Sequence, residues 1–334
     1  MSSRVLVTDY MWPSLDIERG ILAEAGAELV VAEQGEPDEL IRLADGVSAI
    51  LTNWKRLPAE ALEAAPDCVV VSRYGVGVDN IPVERATELG IMVVNVPDFC
   101  LDEVSDHAMA LLLACARRIV PFAGATRSGT WDLLGIGRGL PRLRGQQLGI
   151  LGFGNIARAL VPKAQGFGLE VLAYTPRLAR GSDASGVRTT NDLGELLASS
   201  DYVSVHAPAT PETRGLIGEA ELRAMKPTAY LINTSRGALV DEDALYRALV
   251  EGWIAGAGLD VLAQEPPPAG HPLLGLENVI ATPHAGFYSE AAIEELATKA
   301  ARNAATALRG EVPATILNPS VLEQPNFRLR AGGS

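Results

Sequence analysis

Short apolar runs alternate with helix-like segments along the first hundred residues of the chain. The runs, rich in valine, isoleucine and leucine and of the length of buried strands, are 5–7, 29–31, 49–51, 69–71 and 92–94. Between them apolar positions recur at helical spacing, as in 17–25. Strands that are apolar on both faces and separated by helices are typical of a parallel sheet covered by helices. The pattern therefore predicts one doubly wound α/β domain.

A second alternation of the same kind begins at residue 147. Its strand candidates are 148–151, 171–174, 202–205, 230–233, 255–259 and 279–281. Six such strands in succession match a complete dinucleotide-binding sheet. A single helical pattern follows at 290–308. Since one helix is too little for a third domain, we predict that it returns to complete the first.

Two further patterns lie between the alternations. After Pro97-Asp98 breaks the first one, apolar positions over 101–119 predict a long helix that connects two domains. We interpret 121–144, with Trp131 and its glycines, as an irregular piece. Because compact domains seldom leave a free loop of this length, we expect it to pack on something, such as a second subunit.

A glycine turn links the first strand of the second alternation to a helical pattern. Gly152 would allow a tight bend, Gly154 would let the backbone approach a pyrophosphate, and Ala157 supplies a small side chain where helix and strand pack. The helix would then offer unpaired N–H groups to the ligand. Taken alone the motif is weak, and a glycine turn without any ligand is an equal alternative.

Composition narrows the class of protein. The 334 residues suffice for about two domains, and although 48% are hydrophobic no apolar run approaches the roughly 20 residues of a membrane span. The start of the chain lacks the pattern of a signal peptide, so we expect a soluble, cytoplasmic protein. Three dispersed cysteines favour neither disulfides nor zinc. A net charge of −13 disfavours nucleic acid, which leaves small-molecule partners.

Four blocks of sequence carry a resemblance to the D-isomer-specific 2-hydroxyacid dehydrogenases. They are 73–80 (RYGVGVDN), the Gly152 turn, 233–241 (NTSRGALVD) and 282–286 (TPHAG). The ending over 284–290 most resembles the branch that contains the C-terminal-binding-protein corepressors. The resemblance implies two doubly wound parallel-sheet α/β domains, Rossmann-like or flavodoxin-like, with the cofactor domain inserted into the substrate domain. Its domain boundaries here would be 1–100 plus 289–334 for the substrate domain and 101–288 for the cofactor domain.

The resemblance also implies a catalytic trio. Reduction of a 2-keto acid needs a hydride donor, a proton donor and a group that holds the carboxylate. By its motif His284 matches the family's proton donor, Glu265 its acidic partner and Arg236 the bidentate carboxylate ligand. A structural histidine and a solvated glutamate are the plainer alternatives. The substrate-binding set is Tyr74, Gly75, Val76, Gly77, Arg236, His284 and Phe287, and no metal is expected.

The cofactor contacts follow the same motifs. They are Gly152, Gly154, Asn155, Ile156, Thr175, Pro176, Arg177, His206, Ala207, Pro208, Thr213, Thr234, Ser235, Arg236, Asp260, His284 and Gly286. Thr175 stands where an NAD enzyme usually places an acid, and Arg177 and Arg180 could pair with a 2′-phosphate. We therefore predict NADP(H), with NAD(H) as the alternative if both arginines are merely solvated.

Substrate, assembly and a rival function complete the expectations. Tyr74, Leu101, Phe287 and Tyr288 suggest a pocket with room for an apolar or aromatic side chain, and glyoxylate, hydroxypyruvate or a larger 2-keto acid all remain open. We expect a homodimer through the 101–119 helix and the 121–144 arm. The rival is a dinucleotide sensor or corepressor on the same fold. His107 is interpreted as structural.

Overall fold

The computed structural model describes residues 2–176, 181–183 and 185–329. The chain divides into two compact units: unit 1 comprises Met1–Phe99 and Ser289–Ser334, and unit 2 comprises Cys100–Tyr288. The second unit is thus inserted between two parts of the first. Arg177 and Arg180 lie outside the described residues.

The strands of the described residues are β1 Ser3–Val7, β2 Ala27–Val31, β3 Ala49–Thr52, β4 Val70–Arg73, β5 Met92–Val94, β6 Gln147–Leu151, β7 Glu170–Tyr174, β8 Gly181–Ser182, β9 Arg188–Thr190, β10 Tyr202–Val205, β11 Tyr230–Asn233, β12 Gly256–Leu259 and β13 Val279–Ala281. The α-helices are α1 Asp16–Glu24, α2 Pro37–Leu43, α3 Ala59–Glu63, α4 Val83–Glu88, α5 Leu101–Ala116, α6 Ile119–Arg127, α7 Leu133–Gly137, α8 Asn155–Gly166, α9 Leu193–Ser199, α10 Glu219–Ala224, α11 Glu242–Glu251 and α12 Glu290–Leu308. Every predicted strand is present. The predicted α/β class is therefore confirmed.

Unit 1 is built on a parallel sheet of order β2-β1-β3-β4-β5. This is the flavodoxin-like order of a doubly wound sheet. Its central strand β3 is buried along its whole length and apolar up to its last residue, Thr52, which is what helices on both faces require. Helix α12 packs against α1 and β4, so the C-terminal segment completes this unit.

Unit 2 has the order β13-β12-β11-β10-β6-β7-β9-β8, parallel except for the β8–β9 pair. The order reverses between β6 and β10, which pair in register from Leu148 with Tyr202. In an open α/β sheet ligands bind outside the carboxyl ends of the strands at such a reversal. The glycine turn follows β6 and the 206–208 loop follows β10, so both lie at this point.

The segment between 101 and 144 differs from its prediction. The first helix ends at Ala116, because Arg118 adopts a left-handed conformation (φ 49°), and α6 begins directly after it. Pro121 is tolerated within the first turn of α6, and Asp132 caps α7 by accepting a hydrogen bond from the Gly135 N–H. The piece predicted to be irregular thus contains two short helices. Among the described residues no single helix could cross a membrane, although the bent pair α5 and α6 has the necessary length and composition.

Candidate active site

The glycine turn after β6 is shaped by the loop that follows β10. Gly152 has φ 91°, and a Cβ there would lie 2.7 Å from the Ala207 nitrogen and from the His206 carbonyl carbon. Only glycine satisfies both demands. Gly154, the N-cap of α8, differs because a Cβ there would meet nothing within 4 Å. Open space at Gly154 is what a bound pyrophosphate requires.

Unpaired polar groups surround this open space. The N–H groups of Asn155 and Ile156 in the first turn of α8 donate to no acceptor among the described residues. Thr234, directly after β11, has a buried hydroxyl oxygen without a hydrogen-bond partner in the described part of the chain. Buried polar atoms are normally paired, so these groups fit a ligand that supplies the missing partners. In a dinucleotide, the phosphate oxygens can accept hydrogen bonds from the N–H groups of α8. Its carboxamide can pair with the Thr234 hydroxyl at the end of β11.

Hydrogen bonds within unit 2 hold the loop after β10 in place. The Ser235 hydroxyl donates to the Ala207 carbonyl (2.6 Å), which joins this loop to the segment after β11. Thr213 donates to the Pro208 carbonyl (2.6 Å), so its hydroxyl shapes the loop itself. His206 pairs with the Ser204 hydroxyl (2.8 Å), and burial lowers its pKa to about 4. This histidine is therefore neutral near pH 7.

His284 and Glu265 form a hydrogen-bonded pair. Nδ1 of His284 lies 2.7 Å from Oε2 of Glu265. The other carboxylate oxygen accepts a hydrogen bond from the Leu262 N–H (2.9 Å), which sets the orientation of the side chain. The ring of Phe287 meets the imidazole edge-on, with 6.1 Å between centroids. The contact engages Nδ1 of His284 with the carboxylate.

Asp260 holds the loop that carries His284. The histidine has a left-handed backbone (φ 52°), unusual for a residue with a side chain, and its N–H donates to the Asp260 carbonyl (2.8 Å). The Asp260 carboxylate accepts from the Thr282 hydroxyl (2.6 Å) and from the N–H groups of Ala285 (2.9 Å) and Gly286 (2.8 Å). The Gly286 N–H is thereby occupied within the protein.

The same aspartate stays ionised because of these contacts. Burial by itself raises the pKa of Asp260, but hydrogen bonds from His107, Thr282 and the two backbone N–H groups lower it to about 2. His107 lies 2.8 Å from the Thr282 hydroxyl and 3.3 Å from the carboxylate. The network explains how the strained backbone of His284 is maintained.

Arg236 is carried by a turn that packs closely on the segment before Glu265. Asn233, the last residue of β11, donates to the Arg236 carbonyl (2.9 Å) and accepts from the Ser235 N–H (3.0 Å). A Cβ at Gly237 would overlap the carbonyl group of Leu262. Glycine at this position thus brings the two segments into backbone contact. Unit 2 therefore assembles the segments of all three residues of the predicted trio.

In unit 1 the loop after β4 offers two free backbone donors. The N–H groups of Val76 and Gly77 donate to no acceptor among the described residues. Asn95 donates to the Val76 carbonyl (2.7 Å) and holds the loop in position. Adjacent unpaired N–H groups are suited to an anion such as a carboxylate.

Tyr74 departs from its prediction. Its ring is 1% exposed and packs edge-on against Trp12, with 4.8 Å between centroids. Its hydroxyl lies 3.1 Å from Oε1 of Glu18, a carboxyl whose pKa is raised by burial. The side chain is thus part of the interior of unit 1, and the expectation that it lines a substrate pocket is corrected. The predicted apolar pocket loses one of its walls.

Comparisons with known proteins agree with this arrangement. Residues 109–286 match the family model described as D-isomer specific 2-hydroxyacid dehydrogenase, NAD binding domain. The chain is 43% identical over 293 residues to a glyoxylate reductase of Thermococcus litoralis, covering 85% of this chain and 86% of that one. It is 37% identical over 330 residues to a D-3-phosphoglycerate dehydrogenase of Methanocaldococcus jannaschii, covering 98% of this chain and 62% of the relative.

A solved structure extends the likeness to the whole chain. It is the NADPH-dependent glyoxylate/hydroxypyruvate reductase of Sinorhizobium meliloti in complex with NADP and malonate. Its TM-score is 0.85 at 29% identity, with 100% of both chains covered. The chain belongs to the D-isomer-specific 2-hydroxyacid dehydrogenase family.

Family membership confirms several expectations at once. The resemblance and the Rossmann-like fold are confirmed, and the protein is an oxidoreductase that transfers a hydride between a nicotinamide dinucleotide and a 2-keto or 2-hydroxy acid. The substrate is therefore a small-molecule acid. The corepressor branch, the homodimer, the preference for NADPH and the role of each site residue stay predictions.

Some residues of this dehydrogenase site were missed by sequence reasoning. Thr282 was noticed only as part of its motif, and His107 was interpreted as structural; both prove to hold Asp260. Glu242, an acidic residue in the first turn of α11, was not considered. Their roles depend on partners far along the chain, for which no local pattern exists.

Proposed function

We propose that this dehydrogenase reduces a small 2-keto acid, with His284, Glu265 and Arg236 as its catalytic residues. The observation that carries the proposal is the 2.7 Å contact between His284 Nδ1 and Glu265 Oε2, on a segment in backbone contact with the Arg236 turn. Unit 2 would bind the dinucleotide.

The proton donor in this proposal is Nε2 of His284. With Nδ1–H donating to Glu265, the doubly protonated ring keeps a proton on Nε2 for the substrate's carbonyl oxygen. Glu265 therefore orients the ring for this transfer.

Arg236 is the proposed ligand of the substrate's carboxylate, because its guanidinium offers a planar pair of N–H groups. The backbone N–H groups of Val76 and Gly77, unpaired among the described residues, are the further donors that the family motif implies. When bound, the nicotinamide supplies the hydride. Asp260 holds the loop of His284, and its predicted contact with the nicotinamide carboxamide is part of this proposal.

Glyoxylate and hydroxypyruvate are the proposed substrates. Relatives named for these two acids support this choice, and one of them is solved with malonate, another small acid. The burial of Tyr74 in the interior of unit 1 removes a reason to expect a substrate with a large side chain. Phe287, beside His284, remains as the apolar wall nearest the reacting centre.

A preference for NADPH is proposed from Thr175. This residue follows β7 directly and donates its N–H to the Thr190 carbonyl (3.2 Å), so it stands at the strand end where the ribose binds in this fold. A threonine does not repel a 2′-phosphate as an acid would. The NADP complex of the Sinorhizobium meliloti relative supports the same choice.

Steady-state kinetics with NADPH and with NADH test the proposed substrates and the proposed cofactor preference together. We expect kcat/KM for glyoxylate and hydroxypyruvate to be roughly tenfold to a hundredfold higher with NADPH than with NADH, since charge-assisted hydrogen bonds to the phosphate contribute about 1.5–3 kcal/mol. Arg177→Ala should lower the ratio of kcat/KM with NADPH to kcat/KM with NADH. A clear preference for NADH would contradict the cofactor assignment. Dinucleotide binding without turnover of any 2-keto acid would favour the rival sensor.

A homodimer is proposed from exposed apolar side chains near α6 and α7. Trp131 is 90% exposed, and Leu133 and Leu134 are each 71% exposed. Such clusters usually mark an interface, here with a second copy of the chain. Light scattering should give the mass of a dimer, and Trp131→Asp should shift it towards the monomer. A monomer at all concentrations would contradict the proposal.

A further inference from the structure

We propose that Glu242 is a positioning residue for the catalytic pair, acting together with His271. Glu242 is the first residue of α11 and follows Arg236 by six residues in the sequence. Its carboxylate oxygens have partners other than Glu265 and His284. Its carboxylate instead holds the backbone of the segment from which Glu265 projects. The inference rests on the proposed function, in which Glu265 orients His284.

The two carboxylate oxygens of Glu242 have separate partners. Oε1 accepts a hydrogen bond from the Ala263 N–H at 2.7 Å, and Oε2 lies 3.3 Å from Nε2 of His271. The next N–H towards the N-terminus, that of Leu262, donates to Glu265 itself at 2.9 Å. Two consecutive N–H groups therefore bind two carboxylates, one structural and one catalytic.

Close packing makes this segment sensitive to small movements. Gly237 leaves no room for a Cβ against Leu262, so the segment lies directly on the Arg236 turn. Glu242 holds the segment through the hydrogen bond from the N–H of the next residue, Ala263. If that bond is lost, Ala263 and Leu262 can move and Glu265 will move with them. Since misplacement by about 1 Å costs roughly a hundredfold in rate, a bond outside the site can affect the chemistry.

His271 holds the Glu242 carboxylate in place. Its ring is largely buried, and its Nδ1 has no hydrogen-bond partner among the described residues. A proton on Nδ1 would be a buried donor without an acceptor, which is unfavourable. The tautomer with its proton on Nε2 avoids this cost and can donate that proton to the Glu242 carboxylate. The hydrogen bond between His271 and Glu242 thus fixes the position of the carboxylate.

Steady-state kinetics of Glu242→Ala and Glu242→Gln test the inference, with Glu219→Ala as a matched control. Glu219 is also a first-turn helix glutamate, but it binds Arg223 and Arg247 on the surface. We expect Glu242→Ala to lower kcat for glyoxylate roughly tenfold to a hundredfold while NADPH binding is unchanged.

Glu242→Gln separates positioning from general stability. The amide retains an oxygen for the Ala263 N–H, so this variant should keep most of its activity. Kinetics of Glu242→Ala that match the Glu219→Ala control would overturn the inference, as would a joint loss of NADPH binding and activity in both Glu242 variants. If the parental protein turns over no 2-keto acid, the proposed function itself fails, a result distinct from either.

Discussion

Replacing His284 by asparagine is expected to lower the rate of 2-keto acid reduction by roughly a thousandfold, since general acid catalysis contributes about 10²–10⁴-fold. Asparagine is chosen because His284 has a left-handed backbone (φ 52°), a conformation that asparagine tolerates better than alanine does. Its amide has no titratable proton for the substrate. The variant thus removes the acid and preserves the fold of the loop.

Stopped-flow measurement of cofactor oxidation with glyoxylate and NADPH checks this expectation. NADPH affinity, followed by fluorescence, should be largely retained because His284 is one of many predicted cofactor contacts and the glycine turn and α8 are unaltered. His284→Ala, in which the left-handed backbone is also strained, should be at least as impaired and less stable. Full activity in His284→Asn would show that another group supplies the proton.

Replacing Arg236 by lysine is expected to lower kcat/KM for the 2-keto acid by about a hundredfold, although the charge is kept. A guanidinium donates two parallel hydrogen bonds to a carboxylate, whereas an ammonium acts as a point charge. The lost bond, to a charged group, contributes about 1.5–3 kcal/mol. The backbone of the Arg236 turn is held by Asn233 and Gly237, so the substitution should leave the turn intact.

Kinetics over a range of substrate concentrations separate this effect from a loss of stability. Arg247→Lys is the matched control, because Arg247 is exposed and pairs with Glu219 on the surface. The change in Arg236→Lys should appear chiefly in KM for the acid and much less in KM for NADPH. An unchanged KM for the acid would contradict the assignment of Arg236 as the carboxylate ligand.

The lowered pKa of Asp260 determines the pH range over which this residue stabilises the His284 loop. The pKa of Asp260 is lowered to about 2 in the folded protein, so its ionised form adds stability at all pH values above the ordinary pKa of an aspartate. That contribution declines only as the pH falls towards 2. The loop is therefore held in place at every pH above the ordinary pKa of an aspartate.

Sequence reasoning succeeded where the signal is local. The strands of the first sheet, those of the second apart from β8 and β9, and the helix over 290–308 were predicted because burial on both faces imposes continuous apolar runs and helical spacing on neighbouring residues. The short strands β8 and β9, GS and RTT, carry no such run. The glycine turn was recognised for the same reason. The break at Arg118 was missed because nothing in an apolar stripe signals a left-handed residue.

The sequence by itself thus determined the two α/β units, the family and the residue types of the predicted trio. Only the tertiary structure decided that Tyr74 packs inside unit 1, that His107 and Thr282 hold Asp260, and that Glu242 holds the segment of Glu265. The physical reason is distance along the chain. Secondary structure depends on neighbours a few residues away, whereas His107 and Thr282 are 175 residues apart and meet only when the sheet and its helices have packed.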